Sequence, residues 1–222
     1  MASVNKNFIS SIVKSNSSKE LADKVGETAL DAILDQGILR DIPIIGTAIS
    51  LLKAGDDIKS YLFAKKILTF LAEVEQLPSE QRSKFLSDNF QTVEQQEKVT
   101  DNLLLQIEQA QSMRTCKLLG KVFSAYVSGK INHRYYQLFC NATMRMNDYL
   151  LDQLHMFYKS DTSFGIEFHA MNEVSSLGLL DLKVTNQLFK NSDGDKGFFS
   201  NEAIKNELGK SFYRHIVASE YA

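Results

Sequence analysis

Proline and glycine, the residues that most often interrupt regular structure, are scarce in this chain. Its 222 residues contain two Pro and 11 Gly, so helices can continue over long stretches. A capping box at Ser17–Glu20, Pro43 in the first turn of a following helix, and Thr92 before an apolar-periodic segment all mark helix starts. The sequence therefore predicts a mainly α fold, with a multi-helix bundle over residues 1–160.

The middle of the chain is predicted to contain four consecutive helices. A restart at Asp56 or Asp57 and a stop at Pro78 delimit the first, and Ser79 is predicted to cap the second. Apolar residues at helical spacing favour one long helix after Thr92. The four predicted helices cover residues 57–77, 79–90, 92–129 and 132–158.

The last sixty residues show a different order of elements. A helix over 164–177 is followed by an alternating segment at 179–189, a turn-rich NSDGDKG and a short FFSN before a final helix over 201–221. This order is typical of a small winged-helix-like α+β unit, and we place the domain boundary near residue 160. A calcium loop at Asn191 is disfavoured because Lys196 stands where the sharp turn requires Gly.

Residues 21–71 are predicted to form a glycine-punctuated apolar hairpin. Gly46, Ser50 and Ala54 recur every four residues and predict one smooth helix face, a pattern that Ala22 and Gly26 repeat. The apolar run 42–52 is shorter than the ~20 residues that span a bilayer. Two interpretations remain open: a tightly packed pair of helices, or a hairpin that enters membranes on activation. The aromatic and Lys residues downstream that favour the second are Tyr61, Phe63, Phe70, Lys65 and Lys66.

Charge is distributed unevenly along the chain. Residues 73–108 hold eight acids and three bases, whereas residues 113–147 hold six bases and no acid. Aromatic residues interleave with those bases, so the second segment is predicted to bind phosphates of lipid or nucleic acid. The alternative is that the acidic and basic helices pair with each other. The six bases are Arg114, Lys117, Lys121, Lys130, Arg134 and Arg145.

Several functional classes are disfavoured by composition and motif content. The net charge of −2 argues against a generic nucleic-acid binder, and the two cysteines, Cys116 and Cys140, do not support a disulfide scaffold. No His pair has metal-ligand spacing, and no Walker loop, GxGxxG or GxSxG sequence occurs. We expect no enzyme activity, no metal and no cofactor.

The C-terminal unit resembles small bacterial winged-helix-like modules. In those modules a helix ends in a Leu-Gly-Leu turn, a hairpin follows, and a helix that carries Leu-Gly and Phe packs back. The residues that carry this resemblance are Leu177, Gly178, Leu179, Leu208, Gly209, Phe212 and Ile216. Residues 161–222 hold six bases and nine acids, so a protein contact is favoured over DNA.

The whole arrangement is similar to bacterial accessory proteins of the abortive-infection, anti-phage type. The resemblance implies a cell-suicide effector that acts on the bacterial membrane when infection is sensed. We therefore predict a non-enzymatic effector that self-associates as a homo-oligomer and disturbs the inner membrane through residues 38–71. The N-terminus lacks the apolar core of a signal peptide, so the predicted location is cytoplasmic, with movement to the inner membrane on activation. The C-terminal unit would sense a protein trigger.

The alternative belongs to another class of function. It is a cytosolic adaptor or regulator that binds protein or nucleic acid through the winged-helix-like unit and the basic segment 113–147, with nucleic acid the less favoured partner.

Overall fold

A computed structural model describes residues 2–14, 16, 57–160, 165–189 and 196–221. Within these residues the protein is mainly helical, with one two-stranded antiparallel sheet near the C-terminus. The predicted fold class is therefore confirmed.

The helices are α1 (Ala2–Lys14), α2 (Asp57–Val74), α3 (Ser79–Asn89), α4 (Val93–Gln109), α5 (Met113–Val127), α6 (His133–Arg145), α7 (Asp148–Lys159), α8 (Phe168–Ser176) and α9 (Glu207–Phe212). The strands are β1 (Asp181–Phe189) and β2 (Lys196–Ile204).

The chain divides into two compact units. Unit 1 comprises residues 1–136 and unit 2 comprises residues 137–222. The domain boundary predicted near residue 160 stays a prediction.

Two of the predicted helices are each interrupted by a cap. The predicted helix 92–129 begins as expected, with a capping box between Thr92 and Gln95, but it ends at Gln109. Ser112 then accepts a hydrogen bond from the amide of Thr115 and starts α5. Asn147 divides the predicted helix 132–158 in the same way, because its side chain accepts from the amide of Leu150. A polar side chain that satisfies an amide of a new first turn competes with continuation of the helix.

Three other predicted boundaries are wrong. Pro78, not Ser79, occupies the N-cap of α3, and no side-chain hydrogen bond caps that helix. The helix predicted over 164–177 spans only Phe168–Ser176. Residues 201–204, assigned to the final helix, pair instead with β1, in the register Asp181↔Ile204 to Phe189↔Lys196.

Helix α1 was not predicted from the sequence. Its Phe8 and Ile12, one turn apart, are fully or almost fully buried, and their spacing is the amphipathic signal that marks it. The buried guanidinium of Arg82 in α3 donates to the Ile12 carbonyl at 2.7 Å and to Asn16 Oδ1 at 3.2 Å. A cation at a helix C-terminus stabilises its unpaired carbonyls, so Arg82 fixes the end of α1 within unit 1.

The core of unit 1 centres on a close crossing of α2 and α5. A Cβ added at Gly120 would lie 2.6 Å from the Phe70 carbonyl oxygen and 2.8 Å from Glu73 Cβ. Only Gly allows the two backbones to come this near. The rings of Phe8 and Phe123 flank Phe70, with centroid separations of 6.1 and 5.7 Å.

The core of unit 2 uses the residues that carried the winged-helix-like resemblance. Leu179, Phe212 and Ile216 are fully buried, and Gly178 has φ of 74° in the turn after α8. A Cβ at Gly209 would lie 1.9 Å from the Leu179 carbonyl oxygen. A π-helical turn, Tyr213–Val217, and a 3-10 turn, Ala218–Glu220, follow α9.

Candidate anion-binding site

Most of the predicted membrane-active hairpin lies outside the described residues. This applies to Ala22, Gly26, Gly46, Ser50 and Ala54. The predictions of helices over 17–56 and of a polar hairpin tip at 190–195 also lie outside the described residues.

The described part of the hairpin is helix α2. Phe63, Lys65 and Lys66 are half-buried, and Lys66 Nζ donates to the carbonyl of Glu108 at 2.8 Å. Tyr61 lies in the same helix. Leu71, Phe70, Ile67 and Leu68 are 0–1% exposed, so the apolar face of α2 is committed to the unit 1 core.

Within the described residues, none of the helices is both long and apolar enough to cross a bilayer.

The six predicted anion-binding bases occupy three different places. Arg114, Lys117 and Lys121 lie along α5, are half-buried, and each interacts with another group of the chain. Arg145 is exposed in the last turn of α6. Lys130 and Arg134 are exposed in the turn between α5 and α6 and in the first turn of α6.

His133 joins Lys130 and Arg134 to form the basic turn, the name used below for these three residues. All three side chains are exposed. The chain reaches this position through Gly129, whose φ of 71° reverses its direction after α5. Asn132 then accepts a hydrogen bond from the amide of Tyr135 at 2.9 Å. A glycine turn and an Asn cap thus gather three basic side chains within five residues.

Two tyrosines support the basic turn from α5 and α6. The rings of Tyr126 and Tyr136 stack with centroids 4.7 Å apart and planes 19° apart, and the Phe85 ring meets Tyr126 edge-on at 4.8 Å. Tyr126 Oη and His133 Nδ1 are 3.2 Å apart. Burial raises the pKa of Tyr126, so its hydroxyl stays protonated and holds the imidazole in position.

The electrostatics of the basic turn oppose the ordinary preference of a helix. Backbone dipoles give a helix N-terminus a partial positive charge, which favours acidic side chains there. The first turn of α6, all of which is described, contains no acidic residue and contains His133 and Arg134. A bound anion would neutralise this accumulation of charge and accept hydrogen bonds from the first amides of the helix.

His133 is the residue of this site that the sequence did not identify. No other histidine stands at metal-ligand spacing from His133 in the sequence. The sequence signal that could have identified it is the start of the helix predicted after Asn132, which carries basic residues and no acidic residue. Among the described residues, no group of three His, Cys, Asp or Glu side chains is placed to hold a metal ion.

Comparisons of the chain with protein-family models, curated proteins and solved structures give no match.

Proposed function

We propose that this protein is a non-enzymatic bacterial effector of the anti-phage, abortive-infection type that binds an anionic membrane surface through unit 1. The observation that carries the proposal is the basic turn, which presents Lys130, His133 and Arg134 together at the start of α6. Lipid phosphates supply the negative charge that this helix start lacks. Each Lys or Arg near an anionic surface contributes about 1 kcal/mol of binding free energy.

Membrane disturbance requires a second step in this proposal. Because the apolar face of α2 is buried in unit 1, binding at the basic turn is peripheral until a trigger releases the hairpin of residues 38–71. Self-association as a homo-oligomer and movement from the cytoplasm to the inner membrane belong to that triggered step.

A second candidate is an adaptor that binds protein or nucleic acid. Two observations favour it: α2 is packed as a core helix, and the C-terminal unit has the helix–hairpin–helix order of a winged-helix-like module. Stacked tyrosines beside bases also suit single-stranded nucleic acid.

Vesicle sedimentation separates these candidates. The full chain is incubated with vesicles of phosphatidylglycerol, with vesicles of phosphatidylcholine, or with a single-stranded oligonucleotide. The effector proposal expects binding to phosphatidylglycerol that the double variant K130A/R134A weakens about 30-fold, the product of two losses of about 1 kcal/mol. R145A is the matched control, since Arg145 is an exposed base in the last turn of the same helix.

The two candidates respond differently to the probes. Tight oligonucleotide binding that falls steeply between about 50 and 200 mM salt, without vesicle binding, would favour the adaptor. Equal vesicle binding by K130A/R134A and the unmodified chain would overturn the basic turn as the site.

The membrane step has its own test. Once a trigger has released the hairpin, dye release from phosphatidylglycerol vesicles and growth arrest in bacteria are expected from the unmodified chain and not from Gly46→Leu. Toxicity that persists in a stably folded Gly46→Leu variant would contradict the hairpin mechanism.

A further inference from the structure

Unit 2 exposes three large apolar side chains around helix α7. Tyr149, Met156 and Phe168 are 43%, 48% and 60% exposed, and we name them the unit 2 patch. Tyr149 and Met156 are seven residues apart in α7 and therefore lie on the same side of the helix. Single exposed apolar residues are ordinary, whereas a contiguous group marks an interaction surface.

Hydrogen bonds hold the parts of the unit 2 patch together. Glu167, which precedes Phe168, accepts from Tyr149 Oη at 2.9 Å and from Gln153 Nε2 at 3.3 Å, while its amide donates to Gln153 Oε1 at 2.8 Å. A Cβ at Gly165 would lie 3.2 Å from the Met156 carbonyl oxygen. The segment 165–167 therefore follows α7, with Gly165 near Met156 and Glu167 bonded to Tyr149 and Gln153, and Phe168 is the next residue along it.

Acidic side chains surround the unit 2 patch. Residues 148–159 and 165–176 contain four carboxylates and a single Lys or Arg, Lys159. The carboxylates, all exposed, belong to Asp148, Asp152, Glu167 and Glu173. The hydrogen bond to Glu167, together with the charges of Glu167 and Glu173, raises the pKa of Tyr149, as expected where the local potential is negative.

We propose that the unit 2 patch binds a basic amphipathic helix of a partner protein. The separation of Tyr149 and Met156 along α7 is about 10 Å, the distance over which an amphipathic helix presents apolar residues at i, i+3 or i+4, and i+7. Exposed aromatic residues are the usual anchors of such contacts. The carboxylates select Lys and Arg around the apolar stripe of the partner and repel lipid and nucleic-acid phosphates.

This inference does not depend on the basic turn of unit 1. It names the class of partner for the protein contact that was predicted at the C-terminal unit.

The test uses two synthetic helical peptides of 14 residues, one of Leu and Lys and one of Leu and Glu in the same pattern. Binding of each labelled peptide to the full chain is measured by fluorescence anisotropy. We expect the Leu/Lys peptide to bind. Phe168→Ser should weaken the affinity for this peptide about tenfold, because an aromatic anchor is lost. Glu173→Lys should weaken the affinity about threefold. Because Phe168 is exposed, we expect its substitution to leave the core intact, and circular dichroism of the variant checks this.

Val93→Ser is the control, since Val93 is 62% exposed on the acidic helix α4 of unit 1. Equal loss of binding in Val93→Ser and Phe168→Ser would show nonspecific attraction and overturn the proposal. Comparable affinity for the Leu/Glu peptide, or no binding of the Leu/Lys peptide, would also overturn it.

Discussion

The two units combine aromatic side chains with charge in opposite ways. In unit 1, Tyr126 and Tyr136 stack on each other and contact His133 of the exposed basic turn. In unit 2, the exposed Tyr149 and Phe168 are surrounded by carboxylates. A net charge of −2 for the whole chain conceals this separation. Net charge therefore does not indicate the partner; the local groups that share a surface do.

The rings also have different roles in the two surfaces. Tyr126 and Tyr136 are half-buried and pack against each other and against Phe85, so they support charged groups. Tyr149 and Phe168 are 43% and 60% exposed, so the rings themselves are the contact. Because of this difference, substitutions that change charge should have the larger effect on the affinity of the unit 1 surface. Substitutions that remove a ring should have the larger effect on the affinity of the unit 2 surface.

The largest expected effect is loss of the unit 2 scaffold through Gly209→Ala. The new Cβ would lie 1.9 Å from the Leu179 carbonyl oxygen and 2.0 Å from Tyr158 Oη, and these two atoms already share a hydrogen bond of 2.5 Å. The free energy of unfolding, measured with urea, should fall by about 3 kcal/mol or more, at the upper end for overpacking.

Gly129→Ala is the control for this substitution. Nothing lies within 4 Å of a Cβ at Gly129, and only its φ of 71° opposes the change, which costs about 1 kcal/mol. If the two variants were equally stable, the close approach at Gly209 would not be a determinant of the fold. Vesicle binding through unit 1 should survive Gly209→Ala if the two units act separately.

Gly120→Ala tests the corresponding crossing in unit 1 and should cost about 2 kcal/mol. Its Cβ would lie 2.6 Å from the Phe70 carbonyl oxygen and 2.8 Å from Glu73 Cβ, so the clash is less severe than at Gly209. Urea denaturation gives the comparison directly. Greater destabilisation by Gly120→Ala than by Gly209→Ala would reverse the order deduced from these distances.

Charge reversal sharpens the comparison of the two surfaces. Arg134→Glu should weaken binding to phosphatidylglycerol vesicles about 30-fold, because one favourable contact of about 1 kcal/mol becomes an unfavourable one. Glu173→Lys, which adds a base to unit 2, should not weaken that binding. A similar loss in both variants would show that vesicles respond to overall charge and not to the basic turn.

The sequence predicted the features that depend on local chemistry. The helix start at Thr92 and the order of elements after residue 164 both follow from nearby residues along the chain. The sequence also separates the bases of 113–147 from the acids of 73–108. It does not indicate which of those bases are exposed. Three bases of α5 interact within the chain, whereas the basic turn is exposed, a distinction set by tertiary contacts.

Other features could not be predicted because they also depend on tertiary contacts. At Ser112 and Asn147 the apolar periodicity favours a continuous helix, whereas the polar side chain favours a cap and a new helix start. The structure shows the cap at both positions. Phe168 has a large apolar side chain of the kind expected in a core, and only the tertiary structure shows that it is exposed.

The smallest expected effect concerns the pH dependence of unit 2, through His155. Its imidazole stacks on Tyr221 at 3.9 Å and its Nδ1 lies 3.1 Å from Tyr213 Oη. Burial and the charge of Lys159 lower the pKa of His155, and Asp152 opposes them in part. Since the unfolded chain binds this proton more tightly, with a pKa of about 6.5, stability should decrease as the pH falls from 7 through that value. We expect a decrease in Tm of less than about 2 °C between pH 7 and 6, because a single half-buried group is involved. His155→Phe keeps an aromatic ring against Tyr221 and should remove this contribution, so an unchanged pH dependence in that variant would assign it to another group.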